Sequence, residues 1–383
     1  MGQKLLINNC KLFDGVDKDK VSILVEDGII AEIGQIDVGS GCDLLEAEGR
    51  IAAPGFIDVH IQGAGGADIL DGTEEALKAI SQMCARYGTT SFLATTVYRA
   101  DGDNGHLKLA AECTNSDLGG ASLLGIHLEG PFIAANKKGM IQPDCICGPS
   151  MKVLDKILDI TGGKLAMMTV APELDGGLEI IRRLVGSNIV ASFAHSGADY
   201  EQTLAGIEAG ISHTTHLFNA MSGVHHRAPG PLVAIFESEN VTAQLIADGV
   251  HIHPSVIKLT FEILGPERIV LITDGMQAMG LPDGKYIYNG VEYESRDGAA
   301  RYKDGTLIGT ALGLSELVKR LISFTGCGLD VAVRMVTENP AKVLGLANRK
   351  GSISIGKDAD LVLLDEDLSV QSTIVGGRIV FEK

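Results

Sequence analysis

Between Gly55 and Leu346 the chain alternates short apolar runs with longer stretches whose apolar residues recur at helical spacing. Eight of the runs read as strands: "GFIDVH", "TTSFLATT", "LLGIHLEG", "KLAMMTVAPE", "NIVASFAHS", "ISHTTHLF", "VTAQLIADGVH" and "RIVLITDG". Intervening stretches such as "TEEALKAISQMCARYG" and "GLSELVKRLISF" read as amphipathic helices. Eight strand–helix alternations over roughly 300 residues are what a (β/α)8 barrel predicts. The two ends differ. "KLLINNCKLF" and "VSILVEDGIIAEIG" near one end, and "GSISIGKDADLVLLDEDLSVQSTIVGGRIVF" at the other, break β-branched and apolar runs with Gly and Asp turns. The prediction is an α/β protein in which residues 1–52 and 347–383 build a small β-sandwich domain beside a barrel of residues 53–346. A doubly wound open sheet is the alternative. It would carry a Gly-rich phosphate loop after its first strand, a pattern that "HIQGAGGADIL" fits poorly.

Most of these strands finish in a residue able to bind a metal or move a proton: His60, Glu129, His195, His216, His251 and Asp274. In a parallel barrel such ends converge on one face. A core histidine or a solvated carboxylate accounts for any one of them singly. Packing does not account for six at corresponding places. One carboxylate and two imidazoles, Glu129 with His195 and His216, make an open site for Zn²⁺ or a similar divalent ion. At such a site water becomes a nucleophile near neutral pH, provided a base takes its proton. Asp274 suits that role and the return of the proton to a leaving group; its plainer reading is an N-cap in an Asp-Gly turn. His60 supports a second, weaker ion, orients the substrate, or is a hydrogen-bonded residue at the barrel mouth. His213 reads as structural.

With 383 residues, 45% of them hydrophobic, the chain is long enough for a large core. A net charge of −17 argues against a nucleic-acid or anionic-membrane partner, and means that an anionic ligand needs a local cationic pocket. The seven cysteines are odd in number and scattered, as expected of reduced thiols in a cytoplasmic protein, and the Cys145–Cys147 pair reads as part of a loop. The opening "MGQKLLINNC" lacks the apolar core of a signal peptide, Leu6 breaks the myristoylation pattern, and no apolar run reaches the ~18 residues of a membrane span.

Several motifs, in order, carry a family resemblance: "PGFIDVH", "GIHLEGPF", "AHSGA", "THLFNAM", "HHRAPG", "IADGVHIHP", "ITDGMQAMGLPDGKY" and "DGTLIGTALGL". Over nearly its whole length the chain resembles the amidohydrolase superfamily, and within it the N-acetylglucosamine-6-phosphate deacetylase family. The resemblance implies that Glu129, His195 and His216 hold one divalent metal per subunit, Zn²⁺ first, with Fe²⁺, Mn²⁺ or Co²⁺ also suited to the donor set. It implies that Asp274 shuttles the proton. It also implies a homodimer, in which Arg227 reaches the neighbouring site and grips the sugar phosphate. Asn219 and Ala220 would contact the phosphate, His251 the phosphate or the sugar, and Leu307, Ile308 and Gly309 would line the sugar. His225 and His226 would shape the Arg227 loop.

Two departures stand out. The first strand reads "DVHIQG", with Gln62 where many amidohydrolases have a second histidine, so one tightly bound metal is expected. The loop "KKGMIQPD" places Ile141 where family members carry a residue near the N-acetyl group, leaving Met140 and Gln142 as candidate substrate contacts. The expected activity is hydrolysis of the N-acetyl group of N-acetylglucosamine 6-phosphate to acetate and glucosamine 6-phosphate. N-Acetylgalactosamine 6-phosphate or another amide is the enzymatic alternative. A scaffold that has lost its chemistry is the non-enzymatic one, and the intact Glu129, His195, His216 and Asp274 argue against it.

Overall fold

The computed structural model of the chain describes residues 4–15, 20–37 and 41–383. Met1–Gln3, part of the opening read for a leader, lie outside the described residues. All eight stretches read as barrel strands form one parallel sheet. We label them β1 (Phe56–Ile61), β2 (Thr89–Thr96), β3 (Ser122–Glu129), β4 (Leu165–Val170), β5 (Val190–Phe193), β6 (His213–Thr214), β7 (Thr242–Leu245) and β8 (Ile269–Leu271). Their spatial order is their chain order. The two edges meet: Gln62 N–H donates to the Gly275 carbonyl and Asp274 N–H to the His60 carbonyl, both at 2.9 Å. That closure excludes the open doubly wound sheet and abolishes the edges that such a sheet would expose.

Every residue of β1 and β2 is buried, as expected of strands covered on both faces. The helix Glu74–Arg86 shows how the outer layer is specified. The Thr73 side chain caps its first turn at the Ala76 N–H, and Leu77, Ile80 and Cys84 recur on one face and are buried. A smaller apolar cluster takes Ile57 and Val59 from β1, Leu93, Met167 and Val270 from other strands, and Ala341 from the helix Glu338–Val343. The segment just before that helix closes the barrel floor, its Met335 and Val336 carbonyls accepting from Leu271 and Ile57.

Both chain ends enter a second, eight-stranded sheet. Its hinge is the antiparallel pairing of Ile51–Pro54 with Leu361–Leu364. The four residues of the latter strand alternate in purpose. Leu361 and Leu363 join a core with Leu5, Ile7 and Ile23, while Val362 and Leu364 pack into the main barrel core. Thr373 adds a polar tie, its hydroxyl donating to the Ala85 carbonyl at 2.7 Å.

Beyond β8 lies an antiparallel sheet for which the sequence reading had no place: β9 (Gly284–Tyr288), β10 (Val291–Arg296), β11 (Ala299–Tyr302) and β12 (Leu307–Thr310). Two of its turns, Asn289–Gly290 and Asp297–Gly298, hold both central residues at positive φ, which matches the right-handed twist of a hairpin. β12 docks on the barrel mouth through the Thr310 N–H to the Asp274 carbonyl, 2.9 Å. Among the described residues no helix is long and apolar enough to cross a membrane.

Where the terminal sheet meets the barrel, the Lys350 ammonium pairs with Asp360, both nearly buried, and stands 3.3 Å from Asp358. Removing one partner of a buried pair strands the other charge. Asp360→Ala is therefore expected to lower the unfolding free energy in urea by about 3 kcal/mol, the low end for such pairs because Asp358 remains. A loss within experimental error would show that Asp358 alone suffices.

Candidate active site

The C-terminal ends of the barrel strands bring the candidate residues together by a common backbone device. Glu129 is the last residue of β3, whereas His195 and His216 stand two residues past β5 and β6, and Asp274 three past β8. Each of the latter three adopts a left-handed backbone, with φ of 47°, 27° and 48°. That conformation is uncommon for a residue with a Cβ and costs of order 1–3 kcal/mol. It ends the strand and swings the side chain over the barrel mouth.

Three donor atoms result. Glu129 Oε1 lies 2.9 Å from His195 Nε2 and 2.8 Å from His216 Nε2, and the two ring nitrogens are 3.1 Å apart. Two facing imidazole nitrogens and a carboxylate oxygen cannot all be satisfied by sharing protons. Donors around a tetrahedral divalent ion at ~2.0–2.1 Å sit about 3.3 Å apart, so the cluster fits such an ion. His195 Nδ1 donates to the Lys137 carbonyl at 2.7 Å, which leaves Nε2 as the lone pair facing the site. Among the described residues this is the cluster with metal-ligand spacing.

His60 lies against the cluster from β1. Its Nε2 is 3.2 Å from Asp274 Oδ1 and 3.8 Å from Glu129 Oε2, and its Nδ1 donates to Gln244 Oε1 at 2.9 Å. Burial opposes charging of His60, but the Asp274 and Glu129 carboxylates outweigh it and lift its pKa to about 9. Burial likewise opposes ionisation of Glu129; the His60 charge and the hydrogen bonds of His195 and His216 reverse this and hold it well below the carboxylate range. Asp274 is lowered by the same balance, burial set against His60. Gln62 donates its side-chain amide to Asp274 Oδ1 at 3.3 Å, on the same oxygen that faces His60.

Below lies a buried polar layer. His127 spends Nδ1 on the Val59 carbonyl and Nε2 on Thr169, and Thr169 continues through Thr215 to Ser192. Burial holds His127 well below its ordinary pKa, so it is a neutral strut. His213 bonds Thr242 at 2.6 Å and takes no part in the site.

The cluster and Asp274 open on a cavity of about 210 Å³. Met140, Asn219, Ala220, His251, Leu307 and Ile308 are on its wall. His251 is held by Asp248, to which its Nδ1 donates at 2.6 Å. Three other candidates lie elsewhere. Gln142 sits in a neighbouring groove, its amide donating to the Met140 carbonyl at 3.2 Å. Arg227 is exposed and touches His226. Gly309 stands behind Asp274, where its φ is 138° and a Cβ would come within 2.3 Å of the Asp274 carbonyl oxygen. The sequence reading passed over Gln244, the Lys137 carbonyl, Gly139 and Thr306. The first two act as hydrogen-bond acceptors, a use that carries no signal in residue type.

A closed (β/α)8 barrel with a carboxylate–bis-imidazole cluster and a facing aspartate defines a hydrolase of the metal-dependent kind. A family model described as "Amidohydrolase family" matches residues 51–380, and the chain belongs to that family, which implies a divalent metal. The chain is 41% identical over 337 residues to the N-acetylglucosamine-6-phosphate deacetylase of Bacillus subtilis (strain 168), covering 86% of this chain and 85% of that one. It is 34% identical over 362 residues to the N-acetylgalactosamine-6-phosphate deacetylase of Escherichia coli O157:H7, covering 94% and 95%. The crystal structure of N-acetyl-D-glucosamine-6-phosphate deacetylase from Mycobacterium smegmatis superposes with a TM-score of 0.90 at 31% identity, over 98% of this chain and 100% of that one.

Because Gly309 has no room for a side chain, Gly309→Ala is expected to cost about 1–3 kcal/mol of stability by pushing on the Asp274 backbone. Divalent-ion binding, measured by equilibrium dialysis, should survive, since none of Glu129, His195 and His216 touches that contact. Loss of the ion would place Asp274 among the ligands.

Proposed function

We propose that this chain is an N-acetylglucosamine-6-phosphate deacetylase. The observation that carries the reading is the convergence of Glu129, His195 and His216 beside Asp274 in one cavity, in a chain whose relatives bear that name. A divalent ion held by the three ligands supplies Lewis acidity, which makes water a stronger nucleophile and polarises an amide carbonyl. The rest falls to side chains. Asp274, ionised because His60 faces it, takes a proton from the attacking water and returns it to the amide nitrogen. The water oxygen bonds to the acetyl carbon, the carbon–nitrogen bond breaks, and acetate and the free amine leave. His60 and Gln62 share one Asp274 oxygen, which fixes the carboxylate while the proton moves.

We read the ion as Zn²⁺ and as single, since Gln62 offers Asp274 an N–H where a second imidazole would offer a lone pair. Arg227 is read as serving the neighbouring subunit of a homodimer: it is exposed and does not line its own chain's cavity. Its planar guanidinium suits a phosphate. Seven free thiols support a reducing, cytoplasmic setting.

Purified protein supplied with Zn²⁺ should release acetate from N-acetylglucosamine 6-phosphate. Turnover of the galactosamine epimer alone would keep the chemistry and move the specificity to that of the Escherichia coli O157:H7 relative. Asp274→Asn should lower kcat by about 10²–10⁴-fold with the metal content unchanged. Glu129→Ala should instead empty the site, seen as a fall in the metal-to-protein ratio by elemental analysis. Equal metal loss in both variants would refute the division of roles.

A further inference from the structure

The metal cavity abuts a second space. Gly139 and Thr306 border both it and a second groove of about 400 Å³. Lys138 and Gln142 line that groove on the side of the loop after β3, and Val291, Tyr302, Lys303 and Asp304 on the side of the hairpin sheet. The inner cavity, at about 210 Å³, falls below the ~300–1,000 Å³ usual for small-molecule sites. The two spaces together fall within it.

The neck between them is kept open by a glycine. Gly139 has φ 53°, and a Cβ there would lie 3.3 Å from the His195 ring. Any side chain at this point would press on a metal ligand and narrow the passage. The groove itself is polar yet balanced in charge. Lys303 stands 3.2 Å from Glu292, and the two anions of the lining, Glu292 and Asp304, match its two cations, Lys303 and Lys138. Tyr302 adds an aromatic ring and Gln142 an amide. A second phosphate or a carboxylate would meet as many anions as cations in this lining. A neutral, hydroxyl-rich ring finds polar partners and an aromatic surface.

The geometry points to a second sugar subsite: the phosphorylated N-acetyl sugar occupies the inner cavity, and a neutral sugar joined to it by a glycosidic bond lies in the groove. This rests on the deacetylase reading of the inner cavity. The enzyme then acts on phosphorylated disaccharides as well as on the monosaccharide, by the same hydrolysis at the same acetyl group.

The test compares acetate release from N-acetylglucosamine 6-phosphate with release from the β-1,4-linked N-acetylglucosamine disaccharide phosphorylated at C6 of its non-reducing ring. Zn²⁺-loaded wild type is run beside Val291→Trp and Lys303→Trp, each of which fills the groove away from the inner cavity; Lys303 is an exposed residue whose replacement threatens folding least. Wild type is expected to process both substrates. Each tryptophan variant should lose about tenfold or more in kcat/KM on the disaccharide, with the monosaccharide changed less than about twofold. Monosaccharide turnover without turnover or competitive inhibition by the disaccharide would overturn the subsite alone. Equal losses on both substrates in both variants would overturn it too. Silence on both substrates in metal-loaded wild type would overturn the deacetylase reading, and the subsite with it.

Discussion

Glu129 takes a carboxylate to a place where only 2% of the residue meets solvent, and the rest of the site is arranged around that burial. An ionised carboxyl taken out of water carries a penalty of several kcal/mol unless partners replace the lost hydration. The partners are imidazoles: His195 and His216 within hydrogen-bond distance, His60 slightly further. They come from three other strands, so the carboxylate is provided for only once the sheet has closed. The left-handed backbones at His195, His216 and Asp274 follow from the same demand. A strand run straight on would point these side chains past the centre, and the closed barrel holds them in a conformation they would otherwise leave.

Rigidity beneath the site comes from side chains that never touch the cavity. Gln244 ties the His60 ring to the His216 backbone with a single carbonyl oxygen, accepting from both. The His127–Thr169–Thr215–Ser192 layer couples neighbouring strands by hydrogen bonds that lie across the barrel interior, in place of a second apolar layer. A satisfied polar layer of this kind fixes register more tightly than apolar contact does, because a shift of one residue would leave donors unpaired.

Much of this was legible in the sequence. The barrel strands were readable because parallel strands buried on both faces leave continuous apolar runs, and the site because its residues follow those runs directly. The assignment weakened with distance from the strand. His251 lies six residues past β7 and reaches the cavity through its bond to Asp248, which no pattern of apolar residues announces. The hairpin sheet after β8 was missed although its signal is plain: "YIYNGVEYESRDGAARY" carries Asn-Gly and Asp-Gly between alternating residues. Expecting a helix after each strand obscured it. The Lys137 carbonyl was beyond reach, since backbone atoms are identical at every position and only the folded loop brings this one to His195.

The terminal sheet has a consequence for how the molecule is made. Leu361–Leu364 is synthesised roughly 300 residues after its partner Ile51–Pro54. At ~5–20 residues per second the two are separated by a delay on the order of tens of seconds. Throughout that interval Ala52 and Ala53 have no strand beside them on that edge, and the first helix lacks the cover that Thr373 and its neighbours later provide. The strand that joins the two layers therefore acts as a latch thrown long after its seat has been made. A nascent chain must hold its barrel in a soluble, incompletely covered form until the latch arrives, and this is the stage at which chaperones would find it.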